Sequence, residues 1–243
     1  MPLIYQIFSR TDGSPDPNTR VGNDFQTVLQ NLICKICIDH PYHGLIQLIA
    51  LKNGNNVGGG RDANTYLENV GDKKVATIEQ LIRRIQDMGP AHVAELLNSY
   101  ESLANAYIAL AMEPTKPFTD RKKTKNVPFT QIRSNGKPLL TTCLKGRSLF
   151  LPCVLTKPPQ IRPAADYGDG SGTDPVGSER ILSFNSKFSL TDTGLHRPKI
   201  VVCQGTQGGL YKQLVKGEGA WYIETASNIP LFQSANVIAH TRL

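Results

Sequence analysis

Lys216 closes an alternating run, Leu210-Tyr211-Lys212-Gln213-Leu214-Val215. A lysine at the end of a buried strand is a point charge that needs a partner, and nucleotide phosphate is one such partner. Just upstream, Gly205-Thr206-Gln207-Gly208-Gly209 has the composition of a turn whose backbone N–H groups could cradle phosphate. No Lys-Ser/Thr follows it, as a Walker motif requires. It also lies between two alternating segments, where a hairpin needs glycine in any case, so it reads as a hairpin turn. Cys34, Cys37, His40 and His43 stand at constant spacing and suggest zinc. Finger-type sites separate their ligand pairs by about a dozen residues, whereas these pairs adjoin and both cysteines fall in a helical apolar pattern. They read as core, with no metal ligand and no catalytic residue assigned. Arg121-Lys122-Lys123-Thr124-Lys125 is the one dense basic run. It suits a nuclear-localisation or nucleic-acid patch, and equally a solvated loop in a Pro-rich stretch, which is the plainer reading.

The elements that must carry these residues change character along the chain. Phe25, Val28, Leu29, Leu32, Ile33 and Ile36 recur at helical spacing and predict one apolar stripe. Leu45 to Leu51 is apolar on several sides, which predicts a second helix packed against more than one neighbour. Asp39 or His40 can cap it, with Pro41 in its first turn. Glycines and asparagines punctuate Asn53 to Asp72, so a surface loop is expected there. Val75, Ile78, Leu81, Ile82, Ile85 and Met88 give a third stripe, which Gly89-Pro90 ends. Val93 through Ala111 gives a fourth and longest. Four amphipathic helices with short turns suggest helical-repeat pairs.

From Pro114 the prolines exclude long helices. Ser148 to Leu155 could be a strand, and Asp166 to Gly177 is a loop by composition. Ile181 with Phe184, Phe188 with Leu190, Ile200 to Val202, and Leu210 to Val215 then read as strands of an antiparallel sheet. The fold class expected is therefore α+β, helical-repeat helices followed by a mainly antiparallel sheet.

The 243 residues carry a formal charge of +7, but the basic residues are scattered, so charge alone argues little for nucleic acid. No run approaches the roughly 20 apolar residues of a membrane helix, and the N-terminus lacks the marks of a secretory signal. Five irregularly placed cysteines suit a reducing compartment better than a disulfide framework.

Two stretches carry a resemblance. Asn31-Leu32-Ile33-Cys34-Lys35-Ile36-Cys37-Ile38-Asp39-His40-Pro41-Tyr42-His43 resembles the "Asp-His-Pro-His-His" helix pair in the FAT helical domain of ataxia telangiectasia mutated (ATM) kinases. Met1-Pro2-Leu3-Ile4-Tyr5-Gln6 looks like the helix before it. Downstream, Phe184 to Gly217 resembles the start of the kinase N-lobe of phosphatidylinositol-kinase-related protein kinases. Its marks are Pro198-Lys199-Ile200, the Gly205 to Gly209 turn and Gln213-Leu214-Val215-Lys216-Gly217.

The resemblance implies that residues 1–112 are the last helical pairs of a FAT-like domain and that 113–177 are a linker with a short strand. Residues 178–217 would then be the first three strands of the N-lobe, and 218–243 a divergent tail. It implies ATP as the bound nucleotide. Lys216 matches the lysine on its phosphates, and Leu190, Thr191, Asp192, Thr193 and Gly194 open the loop that covers them. After Gly217 the family's Asp-Leu-Arg-Gln-Asp does not follow, and no segment matches the catalytic Asp, the metal-binding Asn or Asp-Phe-Gly. Because phosphoryl transfer depends on a positioned base and metal ligands, the expectation is a truncated ATM-like serine/threonine kinase polypeptide, inactive alone. The family implies a nuclear setting, with the cytoplasm second, and a place in the DNA-damage response. Its partners would be proteins or full-length kinase, with indirect association with DNA and no membrane. The alternative is a non-catalytic helical interaction module derived from that kinase.

Overall fold

A computed structural model describes residues 2–11, 20–53, 65–114, 126–131, 139–145, 149–150, 179–191, 198–216 and 236–242. Five helices come first: α1 (Pro2–Ser9), α2 (Arg20–Asp39), α3 (Pro41–Lys52), α4 (Thr65–Met88) and α5 (Ala91–Met112). Seven strands follow: β1 (Asn126–Pro128), β2 (Leu149–Phe150), β3 (Arg180–Phe184), β4 (Lys187–Leu190), β5 (Lys199–Gly205), β6 (Leu210–Lys216) and β7 (Asn236–Arg242). This is the α+β class that the sequence predicts. The described chain divides into two compact units, and the division falls inside α5, between Asn98 and Ser99.

In the first unit α3 is the central helix, meeting α1, α2 and α4. Its sequence explains that place: Gly44, Leu45, Ile46, Leu48, Ile49 and Ala50 are all buried, and a narrow line at His43, Gln47 and Leu51 is half-exposed. His40 occupies its cap position without a side-chain cap bond, and Pro41 takes the first turn. Asp39 pairs instead with Lys35 at 2.7 Å. α2 approaches α3 closely because Gly44 has no side chain. A Cβ there would stand 2.9 Å from the Cys37 sulfur and 3.0 Å from the Cys37 Cα. Cys34 and Cys37 are thus buried packing residues, and burial pushes both thiols above their ordinary pKa.

Two expectations are corrected here. The stripe on α2 does not bury as one face. Leu29, Ile33, Cys34 and Cys37 are buried, whereas Phe25, Val28 and Leu32 are exposed. Its apolar arc is wider than the contact α3 and α4 provide, so the flank at 25, 28 and 32 stays in solvent. The loop expected from Asn53 to Asp72 also ends early, since α4 begins at Thr65. One interior glycine, Gly71, costs a helix only about 1 kcal/mol and does not break it. Ile78, Leu81, Ile82 and Ile85 are buried as predicted, whereas Met88, at the end of the same stripe, is exposed.

In the second unit all strand pairs are antiparallel. β5 is central. β6 pairs along one edge of it, and β3 and β4 lie end to end along the other, β3 against Cys203 to Gly205 and β4 against Lys199 and Ile200. Asn185 bridges the break by donating its N–H to the Val202 carbonyl. β3 and β4 are therefore one strand interrupted by a bulge, so that three strands stand side by side at the centre. β2, β1 and β7 flank β3, β4 and β6 respectively.

Candidate nucleotide-facing sheet

Alternation sorts the sheet into two faces. Lys199, Val201 and Cys203 of β5 are buried, as are their partners Val215, Gln213 and Tyr211 of β6. The Ser99–Met112 stretch of α5 lies on this side. The Tyr107 hydroxyl donates to Gln213 Oε1 at 2.5 Å, and its ring meets Phe184 edge-on with centroids 6.0 Å apart. Ser102 donates to the Cys143 carbonyl at 3.2 Å. The Lys199 ammonium donates to the Ala111 carbonyl in the last turn of α5 at 2.8 Å. Burial is the main cause that pulls the Lys199 pKa down from 10.5 to about 8, and the Glu113 carboxylate opposes it.

The opposite face is half-open. Ile200 and Val202 of β5 and Lys212 and Leu214 of β6 are partly exposed, and Ser183, Gln204 and Leu210 are exposed. Lys216 is the last residue of β6, pairs with Asn236 of β7, and shares strand parity with Lys212 and Leu214. Its side chain lies outside the described part of the chain. Leu190 is the last residue of β4, paired with Lys199. Thr191 follows it and donates its N–H to the Pro198 carbonyl at 3.0 Å, which closes the mouth of a hairpin loop. Asp192, Thr193 and Gly194 lie outside the described residues, as does Arg121 to Lys125. Leu190 and Thr191, where β4 ends, and Lys216, where β6 ends, thus lie on either side of β5, at the end where β5 begins with Lys199.

The glycine turn is a hairpin, joining β5 to β6. Gly205 donates to the Gly209 carbonyl at 2.7 Å, Gly208 donates to the Gly205 carbonyl at 3.1 Å, and Gly208 has φ +82°. Such a φ favours glycine. A carboxylate of this chain already serves the turn: Gln207 donates its N–H to Glu179 Oε1 at 2.8 Å, and Tyr211 donates its hydroxyl to Glu179 Oε2 at 3.1 Å. Thr206 adds two bonds to Arg180, one through each residue's N–H. An amide that a phosphate would need is satisfied from within.

Sequence reasoning did not single out Glu179, Tyr107 or Gln213, nor Lys199 as a buried cation. Parity along β5 and β6 was the available signal for Lys199 and Gln213, since both alternate with buried apolar residues. Glu179 carries no such signal, because a glutamate between Ser178 and Arg180 reads as a solvated charge. Among the described residues no three His, Cys, Asp or Glu side chains gather as a metal would require. No described helix is long and apolar enough to cross a membrane.

The chain is 34% identical over 219 residues to the serine/threonine-protein kinase ATM of Arabidopsis thaliana, a match that covers 89% of the chain. Its homologues are the ATM/Tel1 serine/threonine kinases. The ATM serine-protein kinase of Sus scrofa is 28% identical over 231 residues. The chain spans 5% of the Arabidopsis ATM and 7% of the pig ATM, so it corresponds to one segment of these relatives. No protein-family model matches it. Among solved structures, the FAT and kinase domain of CtTel1 superposes with a TM-score of 0.60 at 24% identity, over 88% of this chain and 12% of that one. The open conformation of CtTel1 gives 0.61 over 88% of this chain and 7% of that one. These likenesses establish the fold, helices followed by an antiparallel sheet, as that of the Tel1 FAT and kinase region.

Proposed function

We propose that these residues form the segment of an ATM/Tel1-type serine/threonine kinase where the FAT helices lead into the N-terminal lobe, and that the half-open sheet face receives ATP. The observation that carries the reading is the position of Lys216, at the end of a central strand and in the parity class of the half-exposed Lys212 and Leu214. A lysine there can meet phosphate, while Ile200, Val202 and Leu214 offer an apolar surface suited to a nucleotide base. Leu190, Thr191, Asp192, Thr193 and Gly194 begin the loop that would cover the phosphates.

Within these 243 residues the family's catalytic Asp and its metal-binding motifs have no counterpart. Among the described residues no set of side chains gathers that would hold a metal ion. The stretch alone binds nucleotide without transferring phosphate. Its expected setting is the nucleus, with a cytoplasmic pool, as a part of a kinase of the DNA-damage response whose association with DNA is indirect. Titration with a fluorescent ATP analogue tests the reading, with Lys216→Ala expected to weaken binding about tenfold or more. Unchanged affinity in that variant sinks it. Transfer of radioactive phosphate to a serine-containing peptide, abolished by Lys216→Ala, would refute the absence of catalysis.

A second reading is favoured by Phe25, Val28 and Leu32, which expose an apolar strip on α2. In it the helices form a non-catalytic interaction module that pairs with another copy of the kinase polypeptide. A solved CtTel1 is a dimer with C2 symmetry. Sedimentation of the chain with and without Phe25→Glu decides it: a dimer lost in the variant supports pairing, and a monomer in both removes it.

A further inference from the structure

Lys199 is the buried cation of the helix-covered face, only 3% exposed. Removing an ammonium from water costs several kcal/mol unless it gains a fixed partner. Its partner is the carbonyl of Ala111, one of the last four of α5, which no helical N–H can reach. The helix dipole adds a favourable field at that end. Lys199 is also the first residue of β5, paired with Leu190, and the next bond outward is Thr191 N–H to the Pro198 carbonyl. The bonds that close the loop mouth therefore lie beside the lysine that grips α5.

We propose that Lys199 is a positioning residue, a latch from the C-terminal turn of α5 to the strand ends at Leu190, Thr191 and Pro198 that fixes where they stand beside the proposed nucleotide face. The role toward nucleotide rests on the reading above, whereas the latch rests on geometry alone. The two ends of β5 are then pinned separately. Glu179 holds the β5–β6 turn at one end and Lys199 holds the paired ends of β4 and β5 at the other. Displacement of the last turn of α5 would shift the loop mouth and leave the far turn in place.

The whole chain is used for the test. Lys199→Met keeps the side-chain length but removes the donor, Lys199→Arg keeps a donor, and Lys199→Gln supplies a shorter neutral one should the Met variant not fold. Hydrogen exchange is followed in peptides covering 187–200 and 204–213, together with affinity for a fluorescent ATP analogue. Loss of the donor is expected to speed exchange at Thr191 about tenfold while leaving the 204–213 turn unchanged. Nucleotide affinity should fall by a similar factor, and Lys199→Arg should recover most of both. Equal acceleration in both peptides, or none at Thr191, overturns the latch and makes Lys199 a packing residue. A wild-type chain that ignores the analogue removes the nucleotide reading, yet the contrast between the two peptides still decides the latch.

Discussion

A Cβ added to Gly205 would fall on the carboxylate of Glu179. The glycine is required there by that carboxylate, which lies against the backbone while serving the Gln207 amide and the Tyr211 hydroxyl. Gly205→Ala must push Glu179 away and break those bonds, an expected loss of roughly 2–4 kcal/mol in urea unfolding. With Glu179 already replaced by alanine, the same methyl should cost less than about 1 kcal/mol. If the methyl costs as much in both backgrounds, the carboxylate is not what excludes it.

Tyr107 and Gln213 make a second such pair, now between α5 and the sheet. Gln213 is fully buried, and among the described residues its Nε2 has no hydrogen-bond partner, so the Tyr107 hydroxyl is what offsets burial of its Oε1. Tyr107→Phe should therefore cost about 1–3 kcal/mol, because a buried acceptor is left unmet. Adding Gln213→Met, which removes the polar head at similar size, should return most of that loss. Additive losses in the double variant would show that the bond does not couple the two residues.

How far the sequence carried these features follows from periodicity. Spacing located the buried faces of α4 and α5, the broad buried face of α3, and the strands β3 to β6, because each places apolar residues at a period that only one geometry satisfies. The α2 stripe and the start of α4 escaped it. Which flank of a broad apolar arc is covered depends on neighbours far along the chain. A lone glycine such as Gly71 cannot be told from a break without them. At the candidate site, Lys216 stood out by closing an alternating run, and Leu190 only through the family resemblance. Glu179 and Lys199 did not, since a buried charge is recognised by its partner, and those partners lie at Gln207, Tyr211 and Ala111, remote in sequence.

The crossing of α2 and α3 gives a chemical readout. Cys37 is buried beside Gly44, and burial raises its thiol well above the ordinary range, so little thiolate is available to react. Cys143 is pushed up to about 12, again by burial. Alkylation at pH 8 followed by mass spectrometry should find both protected in the native chain. Gly44→Ala should cost about 1–3 kcal/mol and speed labelling of Cys37 without affecting Cys143. Rapid native labelling of Cys37 would contradict the packing described.

Lys199 fixes the sign of a pH dependence. Its pKa is about 8 in the folded chain and near 10.5 when exposed, burial being the larger cause and Glu113 the opposing one. Between these values the unfolded chain holds a proton that the folded chain has released. Stability from this group is therefore full above about pH 10.5 and is lost as pH falls through about 8. Other groups titrate in the same window, so the useful quantity is the stability of the wild type minus that of Lys199→Met at each pH. That difference should rise by roughly 1 kcal/mol per pH unit from 8 to 10. In a Glu113→Gln background the lower bound of the window should move down, since the charge that holds the proton on Lys199 is gone. A difference that falls with pH would mean that the ammonium is stabilised in its charged form, and that the Ala111 carbonyl and Glu113 outweigh its burial.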